Sequence, residues 1–248
     1  MNHRINLKHL TMVTVLLSLM TACGDSSDKG ESKTPNNETI THNGTTYGTV
    51  KSPYTGKIWL DRHLGASRVC ESFNDTACYG DYYQWGRNFD GHQDSTSGLT
   101  TKQATDYNNA GSQFIYKISN NYKFDWMAKT VDTDGRHRAD NWSKTDGSSV
   151  CPVGFRVPTF TELKAETLDS GVVNRGTAFS NFLRLPSAGV RIRTGAMHDI
   201  DSWGSMWTSS VNDGSCPCSY GVHFYEYDIK WDDSDVRAYG RSVRCIKG

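Results

Sequence analysis

Apolar and polar positions divide this chain sharply. Leu10 to Met20 is an apolar run, preceded by a start that carries Arg4 and Lys8 and no acid. The run is too short to span a bilayer as a helix but has the length of a secretory signal. Thr21 and Ala22 are small, and Cys23 follows. A basic start, a short apolar core and small residues before a cysteine predict a lipoprotein signal over residues 1–22, with lipidation on Cys23. Met20 stands where Leu is commoner, and an ordinary signal peptide with a free Cys23 is the competing reading. Gly24 in place of Asp points to the outer membrane, by a sorting rule known for lipoproteins as a class. Each buried CH₂ of an acyl chain contributes ~0.8 kcal/mol, so several chains, such as palmitate, make attachment effectively permanent.

From Gly24 to about Glu38 the chain is polar, rich in Ser, Asp, Lys, Pro and Asn. It cannot bury enough apolar surface to fold, so residues 23–38 read as a flexible tether. From Thr39 short apolar stretches alternate with turn signals. Asn43-Gly44 predicts a hairpin, and a turn over Ser52–Gly56 precedes a strand over Lys57–Leu60. Residues 90–112 form a polar, Gly- and Thr-rich loop. Pro158 followed by Thr159 and Glu162 predicts a helix from Phe160 to about Leu168, opened by a capping box. A second short helix is expected near Thr177–Leu183. Strands are expected over Met206–Ser210, Tyr220–Ile229 and Ser242–Ile246. The order predicts an α+β domain over residues 39–248, with antiparallel strands and one or two helices.

Composition sharpens this picture. The sequence holds 27 Lys and Arg against 27 Asp and Glu, and losing Arg4 and Lys8 with the leader makes the remainder slightly acidic. A nucleic-acid binder would need a basic face, so that partner is not expected. Aromatic residues and Gly are abundant and aliphatics modest, which suits an extracellular, loop-rich domain. Apart from Cys23, six of the seven cysteines remain. An even number in an exported chain predicts disulfides. Six cysteines allow 15 pairings, and sequence alone does not choose among them. Spacing suggests Cys70 with Cys78 and Cys151 with Cys245, leaving Cys216-Pro217-Cys218 as a tight pair. Zinc is the rival reading, but the chain lacks a CxxC pair and export favours oxidation.

The sequence contains no P-loop, dinucleotide fingerprint, nucleophile elbow or HExxH motif. His63, His92, His137, His198 and His223 lie among polar neighbours and read as surface or turn residues. Val131–Gly135 resembles the start of a calcium loop without its later ligands, so it reads as a solvated turn. Asp228, Asp232, Asp233 and Asp235 surround Trp231; they read either as a calcium or ligand site or as a charged hairpin tip.

Six ordered motifs resemble the Fibrobacter succinogenes major paralogous domain family, from about residue 43 to the C-terminus. They are Trp59–Ala66, Tyr82–Arg87 with Asp90–His92, Cys151–Thr159, Leu185–Gly189, Trp207–Ser210 and Ser242–Ile246. Phe155 stands where that family often has Trp. The resemblance implies a C-type-lectin-like fold related to the formylglycine-generating sulfatase-modifying enzymes, and it supports pairing Cys151 with Cys245. Lectin-like folds display ligands on the irregular segment before the last strands, here about Trp207–Asp235. The expected contacts are Trp207, Tyr220, His223, Tyr225, Tyr227 and Trp231, with Asp232, Asp233 and Asp235 adding polar contacts or holding calcium. Aromatic rings offer rigid faces to an extracellular glycan or protein at low entropy cost. Trp231-Asp232-Asp233 only loosely resembles the lectin Trp-Asn-Asp motif, and its Glu-Pro-Asn partner is missing. Related domains also serve as hypervariable binding proteins. No cofactor other than calcium is expected. The expected function is a surface-displayed ligand-binding module, attached to the membrane through its lipid. The alternative is a thiol/copper oxidase like the sulfatase-modifying enzymes, with Cys216 and Cys218 as its only candidate pair. Tyr225 and Tyr227 should share a strand face with His223, opposite Tyr220.

Overall fold

The computed structural model describes residues 39–116, 124–128, 131–212, 216, 218–231 and 234–248, with Ser234 and Asp235 described by backbone only. The chain divides into Met1–Asn36 and Asn37–Gly248, and all described residues belong to the second unit. The leader, Cys23 and the tether lie outside the described residues, as do Asp232 and Asp233.

The described unit is mixed α and β, with mostly antiparallel sheets and few helices. Its first hairpin pairs Ile40–His42 with Thr45–Tyr47. Asn43 and Gly44 both have positive φ, 47° and 78°. Two successive positive φ values are what a two-residue hairpin turn of matching twist demands, and Asn-Gly tolerates them best. One sheet then runs Thr49–Lys51, Ile58–Leu60, Ile246–Lys247, Phe155–Arg156. The final strand is therefore interior: Ile246 pairs with both Trp59 and Arg156. A second sheet orders Met197–His198, Val190–Arg191, Gly240–Arg241 and Tyr83–Gln84. In the third, Gly204–Val211 pairs with Cys218–Phe224, which also pairs with Ile229–Lys230 and Ser234–Val236.

Helix α1 spans Arg136–Trp142, α2 Phe160–Glu166 and α3 Arg175–Ser180. The capping box of α2 is formed: Thr159 Oγ1 accepts from the Glu162 N–H, and the Glu162 carboxylate accepts from the Thr159 N–H. Two orphan donors at the helix start are thereby satisfied. Helix α1 was not expected from the sequence. The Asp132 carboxylate accepts from the His137 and Arg138 N–H groups and from Arg138 Nε at 2.7 Å. Val131–Gly135 is a turn with Val131, Thr133 and Asp134 exposed, as expected, but Asp132 departs from that reading: it is buried and committed to the first turn of a helix. Two expected strands are also redrawn. The stretch Tyr220–Ile229 is broken by a turn closed by the Tyr225 N–H on the Asp228 carbonyl (2.8 Å), and Val243–Cys245 lies between strands.

A chain modest in aliphatics builds its core from indoles and guanidinium groups. Trp59, Trp85, Trp126, Trp142 and Trp207 are fully buried. Arg237 and Arg138 lie over the Trp85 ring at 4.9 and 5.5 Å, and Arg241 over Trp207 at 4.3 Å. A flat cation stacked on an aromatic face packs like a hydrophobe while keeping its in-plane donors available. Arg138 uses them in a bidentate pair with Asp125, 2.7 Å on each arm. The buried charge is thus compensated instead of orphaned.

Three disulfides join Cys70 to Cys78, Cys151 to Cys245, and Cys216 to Cys218. The second ties the segment before Phe155–Arg156 to the segment before Ile246–Lys247, two strands that pair directly.

Candidate functional site

The segment expected to carry ligand contacts is divided between core and surface. Trp207 is 0% exposed, and its indole N–H donates to the Tyr83 carbonyl at 2.9 Å. Trp231 is buried edge-on against Phe160, ring centroids 5.8 Å apart. His223 is buried as well, and burial, aided by the positive charges of Arg241 and Lys230, holds its pKa well below the ordinary imidazole range. These three are corrections: Trp207 and His223 sit on the paired strands Gly204–Val211 and Cys218–Phe224 under Arg241 and Trp203, and Trp231 packs on Phe160, so all three serve as packing. His63 and His92, also read as surface residues, are buried too, whereas His137 and His198 are exposed. Asp235 lies in strand Ser234–Val236, paired with Ser219.

Alternation along Cys218–Phe224 assigns the remaining rings. Tyr220 is half-buried and packs on Phe160 of α2 at 4.7 Å, on the side where Val222 and Phe224 join the core. His223 and Tyr225 point the other way. Trp203 covers both, 4.8 Å from His223 and 5.1 Å from Tyr225, nearly parallel to the latter at 10°. Trp203 and Tyr225 are half-buried. Tyr227, expected to continue the same strand face, sits in the turn and is 85% exposed.

Arg175 fastens this turn from α3. Its N–H donates to the Tyr225 carbonyl (2.7 Å), its Nη1 to the Ser202 carbonyl (2.8 Å), and its Nη2 pairs with Glu226 at 3.4 Å. Lys230 Nζ lies 5.1 Å over the Tyr225 ring. The result is an aromatic tip held in one geometry by backbone bonds. Trp203 precedes the segment singled out in the sequence and was missed; it has no local signal, because only the fold lays it over His223 and Tyr225.

A second concavity lies elsewhere, a cleft of about 250 Å³ bordered by Tyr47, Gly65, Asp81, Tyr83, Phe89 and Asp94. Gly65 and Tyr83 belong to motifs of the family resemblance, but none of these residues was expected to form a binding site. Gly65 has φ 77°, and a Cβ there would stand 2.3 Å from the Asp81 carboxyl carbon. Asp81 is held by its own N–H on the Leu64 carbonyl (2.9 Å), and its carboxylate accepts from Tyr83 Oη at 3.1 Å. Burial pushes this carboxyl up to about 6, with the charge of Asp94 adding to the rise. Asp94 itself is exposed and is held below the ordinary carboxylate range by the Thr96 backbone and hydroxyl, both at 2.7 Å.

The nearby His92–Asp90 pair has the look of a proton-transfer dyad but a structural role. His92 Nε2 accepts from the Gln84 N–H at 3.0 Å, which leaves the ring proton on Nδ1, 2.5 Å from Asp90 Oδ1. Burial pulls the imidazole down to about 4. With Nε2 committed to a backbone donor, the ring has no lone pair for a substrate. Cys216 and Cys218, the pair required by the oxidase alternative, are bonded to each other. Among the described residues no group of three or more His, Cys, Asp or Glu is placed to hold a metal ion, and no helix is long and apolar enough to cross a membrane.

Comparisons with family models, with characterised proteins and with solved structures find no match for this chain.

Proposed function

We propose that this chain is a lipid-anchored binding module of the outer membrane surface, with the C-type-lectin-like fold of the Fibrobacter succinogenes major paralogous domain family. It takes an extracellular glycan or protein through the aromatic tip of Trp203, Tyr225 and Tyr227. The observation that carries this reading is Tyr227, 85% exposed on a turn whose neighbours are locked. Exposing a large ring on a rigid turn is unfavourable for a free surface and favourable for an interface, because little side-chain freedom is lost on contact. The antiparallel sheets, the helix after Pro158 and the tie from Cys151 to Cys245 support the fold assignment.

A glycan array probed with the full chain tests the reading, with binding then measured for Tyr227→Ala. The substitution should weaken binding by more than about 1 kcal/mol, as at an interface hot spot, and leave the melting temperature unchanged. Undiminished binding in both Tyr227→Ala and Tyr225→Ala would remove the tip as the contact surface.

A further inference from the structure

We infer that the cleft between Tyr47, Gly65 and Phe89 is a separate binding site for a protonated alkylamine, with Asp81 as its counter-ion. None of its lining residues belongs to the aromatic tip.

The sign of the site comes first. Asp81 and Asp94 both line it, and no Lys or Arg does. The lining histidine, His42, has its Nε2 engaged with the Val150 carbonyl at 2.8 Å. Among the described residues Asp81 pairs with no cation; its carboxylate takes one hydrogen bond, from a neutral phenol. A half-buried carboxylate in that state gains most from a cation delivered by a ligand. By contrast, Asp125 and Asp132 are paired with internal arginines.

The carboxyl is also deliberately placed. It lies so close to Gly65 that a Cβ there would displace the carboxyl, and the Gly65 backbone has a positive φ that glycine adopts without strain. The Gly65 N–H is in turn fixed on Tyr47 Oη at 2.8 Å. The Asp81 carboxyl, Gly65 and both phenols thus border one cleft.

Size and lining decide between an organic and a metal cation. About 250 Å³ is many times the ~10–15 Å³ that one water requires. Calcium takes roughly 6–8 oxygen ligands. Beside its two carboxylates this lining has the Asn43 and Gln93 amides and the Thr45 hydroxyl, and the Gln93 oxygen is already taken by the Gly91 N–H at 2.9 Å. Among the described residues no third acid, His or Cys joins the carboxylates to hold a metal ion. Phe89 is 46% exposed at the rim, an apolar ring of the kind that favours the methylenes and charge of an alkylammonium ion.

Ligand-detected NMR on the full chain, at a pH where Asp81 is ionised, tests this with pentylamine against pentanol, its neutral counterpart. Pentylamine should bind at least about tenfold more tightly than pentanol. Asp81→Asn should remove that preference, and Phe89→Ala, at an exposed position, should weaken pentylamine several-fold with the fold intact. Tyr227→Ala should leave pentylamine binding unchanged, so failure here is distinguishable from failure of the aromatic tip. Equal binding of amine and alcohol overturns the inference. So does full amine binding in Asp81→Asn or Phe89→Ala, or displacement of the amine by stoichiometric calcium.

Discussion

Replacing Asp81 by Asn should stabilise the protein at neutral and alkaline pH. The folded state raises this carboxyl from its ordinary 3.8 to about 6, chiefly by burial. A raised carboxyl binds its proton more tightly in the folded than in the unfolded chain. Its contribution to stability is therefore intact below about pH 4 and is lost as pH rises through about 6. Each pKa step is worth ~1.4 kcal/mol, which sets a ceiling of about 3 kcal/mol. Asp81 keeps partial solvent contact, and screening reduces the expected gain to about 1–2 kcal/mol. Asparagine has the same shape and can still accept from Tyr83 Oη. Urea unfolding of the wild type and the variant from about pH 4 to pH 8 reads the effect as a difference. That difference should be near zero at the acid end and grow to its full size above the folded midpoint. His92 acts in the opposite direction: its pKa is held at about 4, so it withdraws stability as pH falls below its ordinary 6.5. Because His92 is present in both proteins, its contribution cancels in the difference. A variant no more stable than the wild type at pH 8, or a difference that does not change with pH, would refute the assignment of a costly buried charge to Asp81.

Trp207→Ala should lower stability by roughly 3–5 kcal/mol in the same urea assay, because a fully buried indole and its bond to the Tyr83 carbonyl are lost together. Joint replacement of Cys151 and Cys245 by Ser should cost about 4–5 kcal/mol, since the bridge closes a separation of 94 residues, against about 2.5 kcal/mol for the Cys70–Cys78 pair at a separation of 8. Non-reduced peptide mapping checks the three linkages directly. Cys23→Ser should abolish lipid labelling and leave the chain as precursor or unanchored protein; labelling that persists in this variant would place the anchor elsewhere.

Local signals in the sequence were sufficient wherever one short segment decides its own structure. The Thr159–Glu162 box starts α2 because both partners lie within one turn, and Asn43-Gly44 makes a hairpin because those two residues tolerate positive φ. Alternation along Cys218–Phe224 likewise put His223 and Tyr225 on one side and Tyr220 on the other. Alternation says which residues share a face but not what covers that face. Arg241 lies over Trp207, Phe160 meets Trp231, and Trp203 covers His223, each from a distance along the chain that no local pattern encodes. Helix α1 was missed because its start is stabilised by Asp132, a residue whose role depends on Arg138 being buried. The cleft was illegible for the same reason. Tyr47, Gly65, Asp81, Phe89 and Asp94 carry no shared motif, and their meeting follows from the Leu60–Leu64 segment lying along Val243–Cys245 while Asp81 folds back onto Leu64. Sequence settles conformations whose energies are local; it leaves to tertiary packing every property that depends on which surfaces are withdrawn from water.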